Sequence, residues 1–139
     1  MPLIKTETIK DIDVITLQIE SLDSANTQHV SRRVSEAMQG GGQIVVDLGA
    51  LRYFDVSGFA GLLRWVAECP PGTEVRLCSG IGSIQSLFEL LRANSVVPLY
   101  QSREAALASF RHKDLMEHTV AETVQPVAAN SRRNMRASG

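Results

Sequence analysis

One run of residues limits what this chain can fold into more than any other: Ile44-Val45-Val46-Asp47-Leu48. Side chains branched at Cβ favour extended backbone, and a near-continuous apolar strand leaves no side for water, so it must be covered on both faces. A covered strand needs paired strands beside it and helices above or below it. The segments around it supply both. Leu3 to Ile9 and Asp13 to Glu20 read as two extended stretches separated by the polar pair Lys10-Asp11. In the second, Val14, Thr16 and Gln18 alternate with Ile15, Leu17 and Ile19, the pattern of a half-buried strand. Glu74 to Ser79 and Val96 to Tyr100 are two further strand candidates.

Between the strands the apolar period changes from two to between three and four. A cap signal at Asp23-Ser24 precedes Val30, Val34, Ala37 and Met38, and Gly40-Gly41-Gly42 ends that helix. Phe59, Leu62, Leu63 and Val66 make a second stripe, stopped by Pro70-Pro71-Gly72. Ile84, Leu87, Phe88 and Leu91 make a third, with Ser83 as its expected cap and its end near Asn94. Ser102 caps a last helix containing Ala106, Leu107 and Phe110. The order is ββαβαβαβα: an α/β domain on a mixed β-sheet, its first two strands antiparallel and the later ones parallel through helical crossovers. This domain is expected over residues 1–112. Residues 113–139 read as a tail that is at least partly flexible, since Pro126 to Gly139 lacks acids and has only Val127 and Met135 as large apolar residues.

Composition excludes several function classes. The net charge is -1, without the basic surplus that phosphate contacts require, so no nucleic-acid partner is expected. Acidic residues outnumber basic ones up to residue 110, and the reverse holds beyond it, where Arg132, Arg133 and Arg136 cluster. No apolar run reaches the roughly 18–20 residues of a membrane span, and the opening residues lack a signal-peptide pattern. No membrane insertion and a cytoplasmic location are expected. The two cysteines, Cys69 and Cys78, make neither a disulfide framework nor a metal knuckle and read as small buried apolar groups.

Catalytic patterns fail on their own geometry. Ser57 sits at a strand-to-helix junction and reads as a helix cap: a nucleophile elbow needs Gly-x-Ser-x-Gly, and here Asp55 and Phe59 hold the glycine positions. His29, His112 and His118 lie in a helix or near the tail, and the last two are six residues apart, off a common helical face. Gly80-Ile81-Gly82 lacks the rest of a dinucleotide or P-loop motif. The chain is therefore expected to be no enzyme, with no catalytic residues, metal or cofactor. On the second helix Gly61 and Arg64 are expected to face outward, with Trp65 on the flank. Trp65 reads equally well as an interaction anchor beside Arg64 or as a ring folded over the core edge. Gly58 and Gly61 leave the backbone of that helix open to close approach.

Taken in order, Ile44 to Leu48, Leu51, Phe54-Asp55-Val56-Ser57-Gly58 and Leu62-Leu63 resemble the signature of STAS domains (sulfate transporter and anti-sigma factor antagonist). Those domains read as an apolar strand ending in Asp-Leu, a short link, then Phe/Ile-Asp-Ser-Ser-Gly-Leu and an apolar helix. Leu22-Asp23 with Ala25 is similar to the opening of the family's first helix. Ser83 to Asn94 and Tyr100 to Phe110, with Glu104-Ala105-Ala106-Leu107, resemble its third and closing helices. The likeness spans roughly residues 3–112 and implies the family fold.

In soluble, stand-alone bacterial members the resemblance implies partner switching. The domain docks on a serine-kinase anti-sigma factor and so controls transcription. The kinase phosphorylates the residue after the motif Asp and a phosphatase reverses this. A phosphoserine adds about -1.5 to -2 charges to the docking surface, so the complex is lost. By this resemblance Asp55 is the motif Asp, Val56 stands at the phospho-acceptor position, and Ser57 with Gly58 opens the helix. Val56 has no hydroxyl, and Glu20-Ser21 stand where Gly-Glu commonly precedes Leu-Asp. The expected function is a regulatory protein-interaction module of the antagonist type that is blind to phosphorylation at the usual place. Asp55, Val56, Ser57 and Gly58 form the switch motif, Asp23, Gly61, Arg64 and Trp65 are interface candidates, and Ser57 is a weak candidate for modification. The alternative is a STAS adaptor or ligand-binding subunit, in lipid-transport ATPase regulation or nucleotide sensing, that needs no phosphate.

Overall fold

The computed structural model describes residues 2–110, and the residues through Leu107 form one unit. The expected tail from residue 113, with His118 and the arginine cluster, lies outside the described residues, as does His112. The elements run β1 (Ile4–Ile9), β2 (Ile12–Leu17), β3 (Ser21–Leu22), α1 (Thr27–Ala37), β4 (Gln43–Asp47), β5 (Tyr53–Phe54), α2 (Val56–Glu68), β6 (Glu74–Cys78), α3 (Gly82–Leu90), a 3-10 turn (Ala93–Ser95) and β7 (Leu99–Tyr100). Residues 103–110 are helical and make up the described part of α4.

Two residues in left-handed backbone start the sheet. Lys10 (φ 51°) and Asp11 (φ 68°) close a two-residue hairpin whose twist matches that of the strands it joins. β1 and β2 are thereby antiparallel, with Ile9 opposite Ile12 and Ile4 opposite Leu17. The other pairings in the five-stranded sheet, ordered β1-β2-β4-β6-β7, are parallel. The mixed sheet expected from the alternation is therefore present.

On one face, Ile15, Leu17, Ile44, Val46, Val75 and Leu77 join a core with Val30 and Val34 of α1, Leu62 and Trp65 of α2, and Ile84 and Phe88 of α3. On the other, Val14 and Val45 are just as fully buried. β2 is thus covered on both sides, where its alternation suggested a half-buried strand: it lies inside the sheet, between β1 and β4, and its polar position Thr16 is taken up by a side chain from α4.

The caps differ from expectation at three helices. Asp23 does not cap α1. It accepts from the Ala25 N–H at 2.9 Å in a local turn, and the helix begins at Thr27, after Asn26. Ser83 lies inside α3, whose flanking residue is Ile81. At α2 the cap is Asp55 and not Ser57. Ser102 does cap α4, its hydroxyl accepting from the Ala105 N–H at 3.0 Å. The fifth strand candidate, Val96 to Tyr100, shrinks to Leu99–Tyr100.

Nothing in the sequence marks the second, two-stranded ladder. β3 and β5 pair in parallel, Ser21 with Tyr53 and Leu22 with Phe54. Two residues each are too few to carry a periodic signal, and only the packing of α2 brings them together.

Candidate functional site

The start of α2 is built by that small ladder. Glu20 carbonyl accepts from the N–H groups of Arg52 and Tyr53, and Leu22 carbonyl accepts from the Asp55 N–H at 3.3 Å. Asp55 then leaves the ladder in extended backbone and caps the helix: its Oδ1 accepts from the Gly58 N–H at 3.0 Å. Its Oδ2 accepts from the Ser24 N–H at 3.4 Å, so one carboxylate ties the helix start to the loop after β3. That loop is braced in turn by Asn26, which bonds the Asp23 N–H and the Ser21 carbonyl. A carboxylate also complements the positive end of the α2 dipole.

Gly58 is required by contact, not by turn geometry. A Cβ there would overlap the Leu22 carbonyl, so only glycine lets α2 approach β3 this closely. Phe59 anchors the same turn. It stacks on Phe54 at 5.7 Å and meets the edge of Phe88 at 5.5 Å.

With Asp55, Gly58 and Phe59 committed inward, the adjoining positions face water. Val56 is 84% exposed and Tyr53 58% exposed, an apolar pair at the head of the helix. Ser57 is exposed too, and its hydroxyl makes no hydrogen bond among the described residues. Asp23 is half-buried, and Arg64 is exposed about two helical turns beyond Ser57.

The other two interface candidates are corrected by their burial. Trp65 is 2% exposed, and its Nε1 donates to the Ser31 Oγ at 2.7 Å, so it is the ring folded over the core edge. Gly61 faces α1, where a Cβ would sit 2.5 Å from Thr27 Oγ1. Both serve the α1–α2 contact, because α2 is covered by α1 as well as by the sheet and so buries a wider arc than its apolar stripe suggests.

A charged cluster that no local pattern marks lies on the opposite sheet face. Arg103, at the start of α4, donates from Nε to Asp47 Oδ2 at 3.0 Å, from Nη1 to Glu7 Oε2 at 3.0 Å, and from Nη2 to Thr16 Oγ1 at 2.9 Å. Burial opposes the charge, but Asp47 and Glu7 more than offset it and hold the guanidinium pKa above its ordinary value. Asp47 inside a β-branched strand was the available signal. Its partner lies 56 residues away, beyond any local pattern. On the same face the Cys78 thiol is pushed up to about 11 by burial and stays protonated. Cys69 is half-buried, its thiol donating to the Val66 carbonyl. Among the described residues no group of His, Cys, Asp or Glu could hold a metal ion, and no helix is long and apolar enough to cross a membrane.

The comparisons with known proteins agree with this architecture. A family model described as STAS domain matches residues 4–106. An anti-sigma-factor antagonist (STAS) domain protein from Planctomyces limnophilus superposes with a TM-score of 0.66 at 22% identity, over 76% of this chain and 96% of that one. An anti-sigma factor antagonist from Mycobacterium paratuberculosis gives 0.68 at 16% identity, over 78% and 92%. The Bacillus cell fate determinant SpoIIAA in its phosphorylated form gives 0.56 at 18% identity, over 77% and 98%. No curated protein matches the chain. With a sheet of this order, an Asp-capped second helix and a family match over most of its length, the chain belongs to the STAS domain family.

Proposed function

We propose that this chain is a regulatory protein-interaction module of the anti-sigma factor antagonist type. It docks on a serine-kinase anti-sigma factor through the head of α2, in the cytoplasm, and takes no phosphate at the usual acceptor position. The observation that carries the reading is Val56: first residue of α2, directly after the capping Asp55, and 84% exposed. An apolar side chain held out on a rigid helix start suits contact with a protein surface. It offers no oxygen to phosphorylate, so binding answers to the abundance of the two partners and not to a charge added at that residue.

Affinity capture from native lysate tests this, comparing wild type with Val56→Glu. The expected result is a serine-kinase anti-sigma factor recovered by wild type and lost with the variant. Recovery of transporter components, or capture indifferent to Val56→Glu, overturns the reading in favour of the phosphate-independent adaptor or ligand-binding subunit.

One observation favours a second reading, in which Ser57 is the modified residue. Asp55 performs the capping, which leaves the exposed Ser57 hydroxyl uncommitted. Incubation with the captured kinase and ATP decides between them. The first reading expects phosphate only on Val56→Ser, and the second expects it on wild type and not on Ser57→Ala.

A further inference from the structure

The outer edge of β1 has a charge pattern that complements its own reverse. We infer that two copies of this chain associate antiparallel along β1, about a two-fold axis at Thr6, to form one continuous sheet.

β1 is a terminal strand of the sheet, and among the described residues only β2 pairs with it. The hairpin sets which of its backbone groups are used. A two-residue loop makes Ile9 and Ile12 a mutually bonded pair, and at the far end the Gln18 N–H donates to the Leu3 carbonyl at 2.8 Å. Bonded pairs alternate along an antiparallel ladder, so Leu3, Lys5, Glu7 and Ile9 turn their N–H and C=O groups to β2. Those of Ile4, Thr6 and Thr8 point outward, a row of groups that no strand among the described residues pairs with.

Two antiparallel copies of β1 must bond through these outward residues, which leaves few registers. If Thr6 faces Ile4 of the second copy, Lys5 meets Lys5. If Thr6 faces Thr8, Glu7 meets Glu7. Only with Thr6 facing Thr6 does Lys5 lie opposite the partner's Glu7, and it does so twice. In that register both charge pairs occupy non-bonded positions, where opposed side chains come closest. Lys5 is exposed, and Glu7 engages Arg103 through Oε2. An edge lysine by itself keeps strands apart; a lysine followed two residues later by a glutamate selects one partner orientation.

Six residues from each strand bury less than the roughly 1,000 Å² of a stable interface, so the dimer is weak and reversible. Sedimentation velocity on the full chain, from about 10 μM to about 1 mM, covers the affinities expected of such a contact. Wild type should shift from monomer to dimer, and Lys5→Glu should raise the dissociation constant at least about tenfold. Mixing Lys5→Glu with Glu7→Lys should restore a dimer of one copy of each, since every opposed pair is then again of unlike charge. Glu7→Lys also loses its Arg103 contact, so its fold is checked by circular dichroism. If it is unfolded, Thr6→Pro replaces it; this removes only an outward N–H and should give a folded monomer. A wild type monomeric at every concentration, or a dimer indifferent to Lys5→Glu, to the mixture or to Thr6→Pro, overturns the inference.

Discussion

Gly58 is pressed on the Leu22 carbonyl, so Gly58→Ala must push α2 off β3. We expect a loss of about 2 kcal/mol or more in urea unfolding, opposite in sign to the gain that Gly→Ala gives at an exposed helical position. Cys78 makes a pH-dependent contribution. Its thiol ionises near 9 when unfolded but only at about 11 when folded, so the folded state holds the proton longer. The contribution is intact well below pH 9 and falls as pH rises through 9 towards 11. At about pH 10 the expected loss is about 1 kcal/mol relative to neutral pH, and Cys78→Ala should lack that component. At this scale the sequence was legible in type but not in role. Asp55, Val56, Ser57 and Gly58 were recognisable as one motif, yet the capping duty fell to Asp55 and not Ser57. Which oxygen reaches the Gly58 N–H depends on the angle at which the chain leaves β5. Trp65 stood open between two readings, and Ser31, 34 residues away, resolved it.

At the scale of elements, periodicity was a good guide wherever one face alone decides burial. α1 follows its stripe, with Val30 and Val34 buried, and α3 buries Ile84 and Phe88 of its own, although Leu91, the last of that stripe, falls past the helix end and is 50% exposed. β4, read as covered on both faces, buries Val45 and Val46 alike. It served less well for α2, covered on two sides, and for β2, covered on both faces. The β3–β5 ladder lies below the length at which a pattern exists. The β1–β2 hairpin yields its own prediction. Lys10 and Asp11 both occupy left-handed backbone, which Asn and Gly adopt at less cost. The double variant Lys10→Asn/Asp11→Gly should gain about 0.5–1 kcal/mol, read as a raised midpoint in thermal unfolding.

Across the whole molecule, Arg103 links parts of the chain that share no local relationship. It joins the start of α4 to β1, β2 and β4 through Glu7, Thr16 and Asp47. Arg103→Met keeps the length of the side chain and strands Asp47, which is 8% exposed, without its cation. The expected loss is about 1–3 kcal/mol, reduced from that of a fully buried pair because Arg103 and Glu7 are partly solvated. Urea unfolding of Arg103→Met against Asp47→Asn/Arg103→Met checks it; the double variant should recover part of the loss. By itself the sequence determined the strand and helix alternation, the mixed sheet, the motif at the head of α2 and the absence of a hydroxyl at Val56, because each is set by residue type and short spacing. Tertiary structure alone decided that Trp65 and Gly61 are buried, that Asp55 caps, that β3 meets β5 and that Asp47 finds Arg103. Those outcomes depend on which surfaces meet when the sheet and helices close on one another, and residues tens of positions apart carry no mark of that meeting.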